Sequence, residues 1–199
     1  MLSSPSNLQN PMSSLSPIQI QTAITTLKQG GVIAYPTEAV WGLGCDPFNE
    51  QAVLKLLALK QRPMSKGLIL IAASVEQIEP YLQLLTPEQR KTVVNSWPAA
   101  QTWVVPVNAS VPQWIRGEHL SLAIRVSAHL PVIELCEAFG APIISTSANI
   151  STQATAQNPT QIGHIFANQI DYIVDAPLGG NQNPSQIRDA LTGAVLRPS

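Results

Sequence analysis

Short apolar runs, each closed by Gly, Pro or a capping residue, alternate along this chain with helical stripes too short to serve as crossovers everywhere. Val32 to Tyr35 ends at Pro36, Leu68 to Ala72 is continuously apolar, and Thr102 to Val107, Leu122 to Val126 and Ile143 to Ser145 repeat the pattern. Tyr172 to Val174, Gln186 to Ala190 and Ala194 to Arg197 add closing strands. Parallel neighbours need a crossover of a dozen or more residues, usually a helix, and several of these strand pairs lack one. The pattern therefore predicts an α/β fold with a mixed parallel and antiparallel sheet flanked by helices.

The helices are read from their ends. Ser16 caps a helix with Pro17 in its first turn, and the stripe of Ile18, Ala23, Ile24 and Leu27 stops at Gly30-Gly31. Asn49 caps a second helix carrying Val53, Leu56, Leu57 and Leu59. Ser74 with Gln77, and Thr86 with Gln89, have capping-box spacing. Pro131 to Phe139 is a helix closed by Gly140, and Asn158-Pro159 with Gln161 opens another. Residues 1–15, rich in Ser, Asn and Pro, predict a flexible tail, leaving 16–199 as a single domain. With 199 residues, 45% hydrophobic and 12% charged, the chain has material for a real core.

A net charge of −1 gives no global nucleic-acid signature, and no apolar stretch approaches the ~20 residues needed to span a bilayer. Cys45 and Cys136 stand far apart without CxxC spacing and read as reduced thiols of a cytoplasmic protein. No side-chain metal site is expected, because His119, His129 and His164 lack ligand spacing.

Against this sparse charge, K-Q-R-P-M-S-K-G at 60–67 stands out: three of the eleven Lys/Arg fall on one loop between a helix and an apolar strand. An Arg fork and a Lys point charge suit phosphate or carboxylate, and Ser65 and Gly67 would let backbone amides approach an anion. In Y-P-T-E-A-V-W-G-L-G-C-D at 35–46, Thr37 sits at a strand end before what reads as a glycine-bearing turn through Gly42 and Gly44. S-T-S-A-N at 145–149 leaves a strand with Ser145, Ser147 and Asn149, groups that suit phosphate oxygens and ribose or else simply cap a turn. Arg125 closes an apolar strand and needs an anionic partner, either a ligand or one of Glu38, Glu134 and Asp175. Arg197 carries the same ambiguity, and Ser185 is either a turn residue or a hydroxyl donor. No P-loop is present.

Six segments in order resemble the YrdC/TsaC family of L-threonylcarbamoyladenylate synthases, in its short single-domain branch: 30–46, 59–70, W-P-A-A-Q-T-W-V-V-P at 97–106, L-A-I-R-V at 122–126, 145–149 and P-S-Q-I-R-D-A at 184–190. The chain differs from many relatives at Ala99-Ala100 and Gln186, where they carry Gly-Pro and Thr. The resemblance implies a twisted sheet with a concave ligand groove. It also implies a nucleotidyltransferase that makes threonylcarbamoyl-AMP and pyrophosphate from L-threonine, bicarbonate and ATP, with Mg²⁺ arriving on the ATP. It implies that Thr37, Arg125, Ser145 and Ser185 hold threonine. Lys60, Arg62 and Lys66 would serve catalysis and face the triphosphate, while Thr102, Ser147, Asn149 and Arg197 contact nucleotide. Downstream partners would be the proteins that transfer the threonylcarbamoyl group to adenosine beside the anticodon of ANN-decoding tRNAs, and direct tRNA contact is compatible with the resemblance. The alternative is a non-catalytic module of the same fold that binds double-stranded RNA or tRNA through the basic loop. A carbamoyl-transfer role as in hydrogenase maturation fits less well, since those domains sit in longer chains with zinc-finger cysteines.

Overall fold

Helix α1 (Pro17–Lys28) begins where the sequence signals it: Ser16 and Gln19 form a reciprocal capping box, with Pro17 in the first turn. The computed structural model describes residues 14–199. Along them follow β1 (Ile33–Pro36), β2 (Trp41–Gly44), α2 (Glu50–Leu59), a 3₁₀ turn at Met64–Lys66, β3 (Ile69–Ala72) and α3 (Val75–Ile78). Next come α4 (Pro87–Asn95), β4 (Gln101–Pro106), α5 (Gln113–Arg116), β5 (Ser121–Val126) and α6 (Leu130–Phe139). The chain continues through β6 (Ile143–Ser147), α7 (Pro159–Ile165), β7 (Tyr172–Ile173), β8 (Gln186–Asp189) and β9 (Val195–Arg197).

The strands form one sheet in the order β7-β1-β2-β6-β3-β5-β4-β8-β9. Pairs β1/β7, β3/β5 and β4/β8 are parallel and the others antiparallel, so the sheet is mixed as the missing crossovers predict. Alternate residues of each strand point to opposite faces, and two cores result. Val32, Ala34, Leu70, Trp103, Ile124 and Ile144 belong to the core that includes α2 residues. On the other face Ile33, Tyr35, Ile71 and Ile143 pack with Ala23, Ile24 and Leu27 of α1 and Val132, Leu135 and Cys136 of α6.

That second cover is partial. The α1/α6 core draws no buried residue from β4, β5, β8 or β9, and on this side β5 presents Ser121, Ala123 and Arg125 to open space. Half of one face is thus a bare sheet surface, and there the groove forms.

Three expectations need correction. Residues 35–46 are not a strand followed by a glycine turn: Gly42 and Gly44 lie within β2, antiparallel to β1, and the turn is 37–40. At Gly44 glycine is required because the Tyr35 ring crosses the strand, and a Cβ there would lie 2.8 Å from it and 2.6 Å from the Ile144 carbonyl. Ser74 makes no side-chain cap, since Gln77 instead accepts from Ala73 N–H and donates to Cys136 O. The flexible tail does not include its last two residues: Glu134 accepts from the amide and hydroxyl of Ser14 and the amide of Leu15, and Leu15 is buried in the α1/α6 core. The rest of that expectation falls on 1–13, outside the described residues.

Candidate active site

The groove encloses about 670 Å³ and is built from four parts. Its floor is the bare face of β5 and β4, with Ser121, Ala123, Arg125 and Val104. One wall is the β1/β2 turn with Thr37 and Glu38, together with Ser145 and Ser147 of β6. The basic loop contributes Arg62, Lys66 and Gly67, and Arg116 and His119 stand beside it. Ser185, Asp189, Leu196 and Arg197 close the β8/β9 side.

Five of the chain's eleven Lys/Arg line this groove, against two of its twelve Asp/Glu. Both carboxylates are engaged by protein groups on at least one side. Asp189 accepts the amides of Leu191 and Thr192, and Glu38 pairs with Arg125 at 3.1 Å. A nearly neutral protein thereby concentrates positive charge in one concavity, where low-dielectric walls focus its field.

The residues expected from sequence divide into those that face the groove and those that build it. Thr37, Arg62, Lys66, Arg125, Ser145, Ser147, Ser185 and Arg197 line it. The Arg62 Nη2 donates to Gly67 O at 2.9 Å, folding the guanidinium over its own loop, while the buried Nε has no protein partner among the described residues. Burial holds this guanidinium below its ordinary pKa. Arg197 donates to the backbone carbonyl of Ser185 at 2.6 Å, and burial and nearby Arg125 lower its pKa in turn. Thr37 Oγ1 donates to Val40 O at 2.8 Å, fixing the turn that carries Glu38.

Lys60, Thr102 and Asn149 are not among the residues that line the groove, and their side chains make internal contacts behind it. Lys60 is only 2% exposed, and its ammonium donates to the carbonyls of Ser147 and Asn149 and to Asn149 Oδ1. A buried ammonium needs such acceptors, so Lys60 acts as a strut under the Ser147–Asn149 turn. Burial, with Arg62 beside it, pulls its pKa down to about 8. Asn149 spends its amide on Ile150 O and Gln153 O and its Oδ1 on the Ser147 hydroxyl, the turn-capping option. Thr102 is fully buried, 2.9 Å from the Ser185 hydroxyl that it orients. Of the two residues expected to offer amides, Gly67 is occupied: its N–H donates to Met64 O, as that of Lys66 does to Pro63 O, closing the 3₁₀ turn.

Sequence reasoning named Glu38 only as one possible partner of Arg125, the pairing the structure shows, and did not select Arg116, His119 or Asp189. Arg116 carried a signal, an isolated cation in W-I-R-G, and it donates to Val111 O and His119 O to hold the rim loop. Glu38 and Asp189 stood inside quoted segments, but only the pairing of strands brings them to the groove.

A family model described as "Telomere recombination", for Sua5, YciO and YrdC, matches residues 25–199. The chain belongs to the Sua5/YciO/YrdC family. A relative from Cellvibrio japonicus named threonylcarbamoyl-AMP synthase is 50% identical over 94% of this chain and 98% of its own length. Among solved structures of the family, P. abyssi Sua5 complexed with L-threonine superposes with a TM-score of 0.82 at 31% identity, over 90% of this chain and 53% of that one. This chain thus spans about half the length of that Sua5. E. coli YciO gives a TM-score of 0.79 at 25% identity, with 92% and 91% covered. The mixed-sheet α/β architecture predicted from sequence is that of these family structures.

Proposed function

We propose that this protein is a threonylcarbamoyl-AMP synthase: it joins L-threonine, bicarbonate and ATP into threonylcarbamoyl-AMP and releases pyrophosphate. The observation that carries the reading is the charge reversal in the groove, five cations against two carboxylates. The name of the half-identical relative of nearly equal length agrees with it.

The reaction brings anions together. The threonine ammonium gives up a proton to solvent, and the neutral amine attacks the bicarbonate carbon as water leaves, giving a carbamate. A carbamate oxygen then attacks the α-phosphorus of ATP as the bond to the β-phosphate oxygen breaks. Positioning and charge neutralisation supply most of the acceleration in such a displacement. In this proposal Thr37 and Ser145 of one wall, Arg125 of the floor and Ser185 of the β8/β9 side hold threonine. Arg62, Lys66 and Arg197 neutralise the triphosphate, and Ser147 contacts the nucleotide from a turn that Lys60 and Asn149 brace. No group of three or more His, Cys, Asp or Glu fit to hold a metal occurs among the described residues, so Mg²⁺ belongs in the proposal as a passenger on the triphosphate, where it neutralises charge.

The product is a reactive mixed anhydride, so the proposal extends to a downstream protein that transfers the threonylcarbamoyl group to adenosine beside the anticodon of ANN-decoding tRNAs. No helix among the described residues is long and apolar enough to cross a membrane.

The test is pyrophosphate release with each component omitted in turn and mass detection of the adenylate. Turnover should require ATP, L-threonine and bicarbonate and proceed without tRNA. Release that persists without threonine, or starts only on addition of tRNA, would overturn the reading in favour of an RNA-dependent module, whose binding would also fall steeply with salt.

A further inference from the structure

Glu38 is held unusually firmly for a side chain in an open groove. Its Oε1 accepts the Ser127 hydroxyl at 2.7 Å, and Ser127 in turn accepts the His129 amide at 3.1 Å. Its backbone carbonyl accepts the Asn181 amide at 2.8 Å, and Gly179 packs so closely that a Cβ there would lie 2.8 Å from Glu38 Cα. The other oxygen, Oε2, approaches Arg125 Nη1 at 3.1 Å without the alignment of a hydrogen bond, and it accepts no hydrogen bond among the described residues. Both side chains are more than nine-tenths buried, yet both line the groove. A buried carboxylate oxygen with no donor is costly, and this one belongs to a residue that lines the groove.

We infer that Glu38 and Arg125 form a zwitterion subsite, in which Glu38 Oε2 receives the α-ammonium of the amino-acid substrate and Arg125 receives its α-carboxylate. The inference rests on the synthase reading and deepens it by assigning the ammonium a partner. An amino acid in neutral water carries both charges a few ångströms apart, which matches the two side chains in sign and spacing. The free pair is electrically balanced, so a zwitterion enters with both of its charges answered. A simple carboxylate would meet Arg125 with Glu38 repelling it at contact distance. The same pair therefore binds and discriminates: it admits α-amino acids and turns away the corresponding hydroxy acids. Glu38 acts at the binding stage, before carbamate formation.

The experiment compares calorimetric titrations of L-threonine and of 2,3-dihydroxybutyrate, which replaces the ammonium with a hydroxyl, against wild type and Glu38→Gln. Wild type should bind the hydroxy acid at least about tenfold more weakly, since charge-assisted hydrogen bonds are worth roughly 10–150-fold. In Glu38→Gln threonine should weaken by a factor in that range, while the hydroxy acid holds its affinity or gains, because Arg125 loses its counter-charge. The wild-type arm needs no variant to fold: equal affinity for the two compounds there overturns the inference. Equal weakening of both compounds in the variant, or no change in either, also overturns it, the first by showing that Glu38 only positions Arg125. Wild type that binds neither compound would remove the synthase reading and this inference together.

Discussion

At the scale of single residues, Lys60 separates folding from function. Its ammonium serves three oxygens of the Ser147–Asn149 turn, and deprotonation leaves two N–H groups for three acceptors. Its pKa is near 8 in the fold against an ordinary 10.5, so between those values the unfolded chain binds more protons and this group's own contribution to stability rises with pH. Over the same window the turn loses its charge-assisted bonds. Adenylate formation should therefore fall as pH passes 8, with no loss of thermal stability traceable to this residue. Lys60→Met should be slower at every pH and lack that alkaline decline; rate profiles and melting curves from pH 7 to 10 check both statements. Lys60 also shows what sequence could and could not disclose. Its presence in a cationic loop was legible, whereas its direction was not, because whether a lysine faces a ligand or the underside of a turn depends on strands that meet it from 87 residues away.

At the scale of elements, the rim of the groove is two loops stitched together. Leu68 N–H donates to Ile115 O, and Glu118 N–H donates to Ser65 O, joining the basic loop to the end of α5. Gly67 and Gly117 sit back to back with φ of 63° and 70°, and a Cβ on Gly117 would lie 2.3 Å from Ser65 O. Gly117→Ala must push the 64–67 turn aside, moving Lys66, and should raise the KM for ATP several-fold besides costing about 1–2 kcal/mol of backbone strain. Gly140→Ala is the control. Its φ is 82°, but open space surrounds it, so it should lose a similar stability with unchanged kinetics. Helix ends were well marked in the sequence where a cap is local, as at Ser16 and Thr86. The Ser74 box failed because Gln77 found better partners in Ala73 and in Cys136 of a distant helix. Gly44 was misread for a related reason: a glycine demanded by a neighbouring strand's ring looks the same in one dimension as a glycine demanded by a turn.

At the scale of the molecule, one sheet carries a core on one face and, on the other, a second core beside the groove. Ile124 is fully buried, whereas its neighbour Ala123 looks into the groove. Ile124→Ala should cost about 2–5 kcal/mol, the usual price of a core cavity. Ala123→Leu should melt close to wild type yet lose nucleotide and threonine binding by filling the floor; paired melting and titration experiments read out this contrast. The alternation that predicts a strand therefore also predicts which residues of β5 face together. What periodicity cannot supply is where the covering helices stop, since α1 and α6 leave β5 bare for reasons of strand order.

The strand order also bears on how the protein comes into being. Thr37 and Glu38 stand near one end of the described chain, Ser185 and Arg197 near the other, and β8 joins the sheet beside β4, which is 85 residues earlier at Gln101 and Gln186. Pairings so distant in sequence close slowly, because the intervening chain must be ordered first. A growing polypeptide can bury α1 or α2 early, but its groove lacks the β8/β9 side until β8 arrives. Translation that stalls before that point should yield no weakly active intermediate, so acquisition of activity during synthesis should be abrupt.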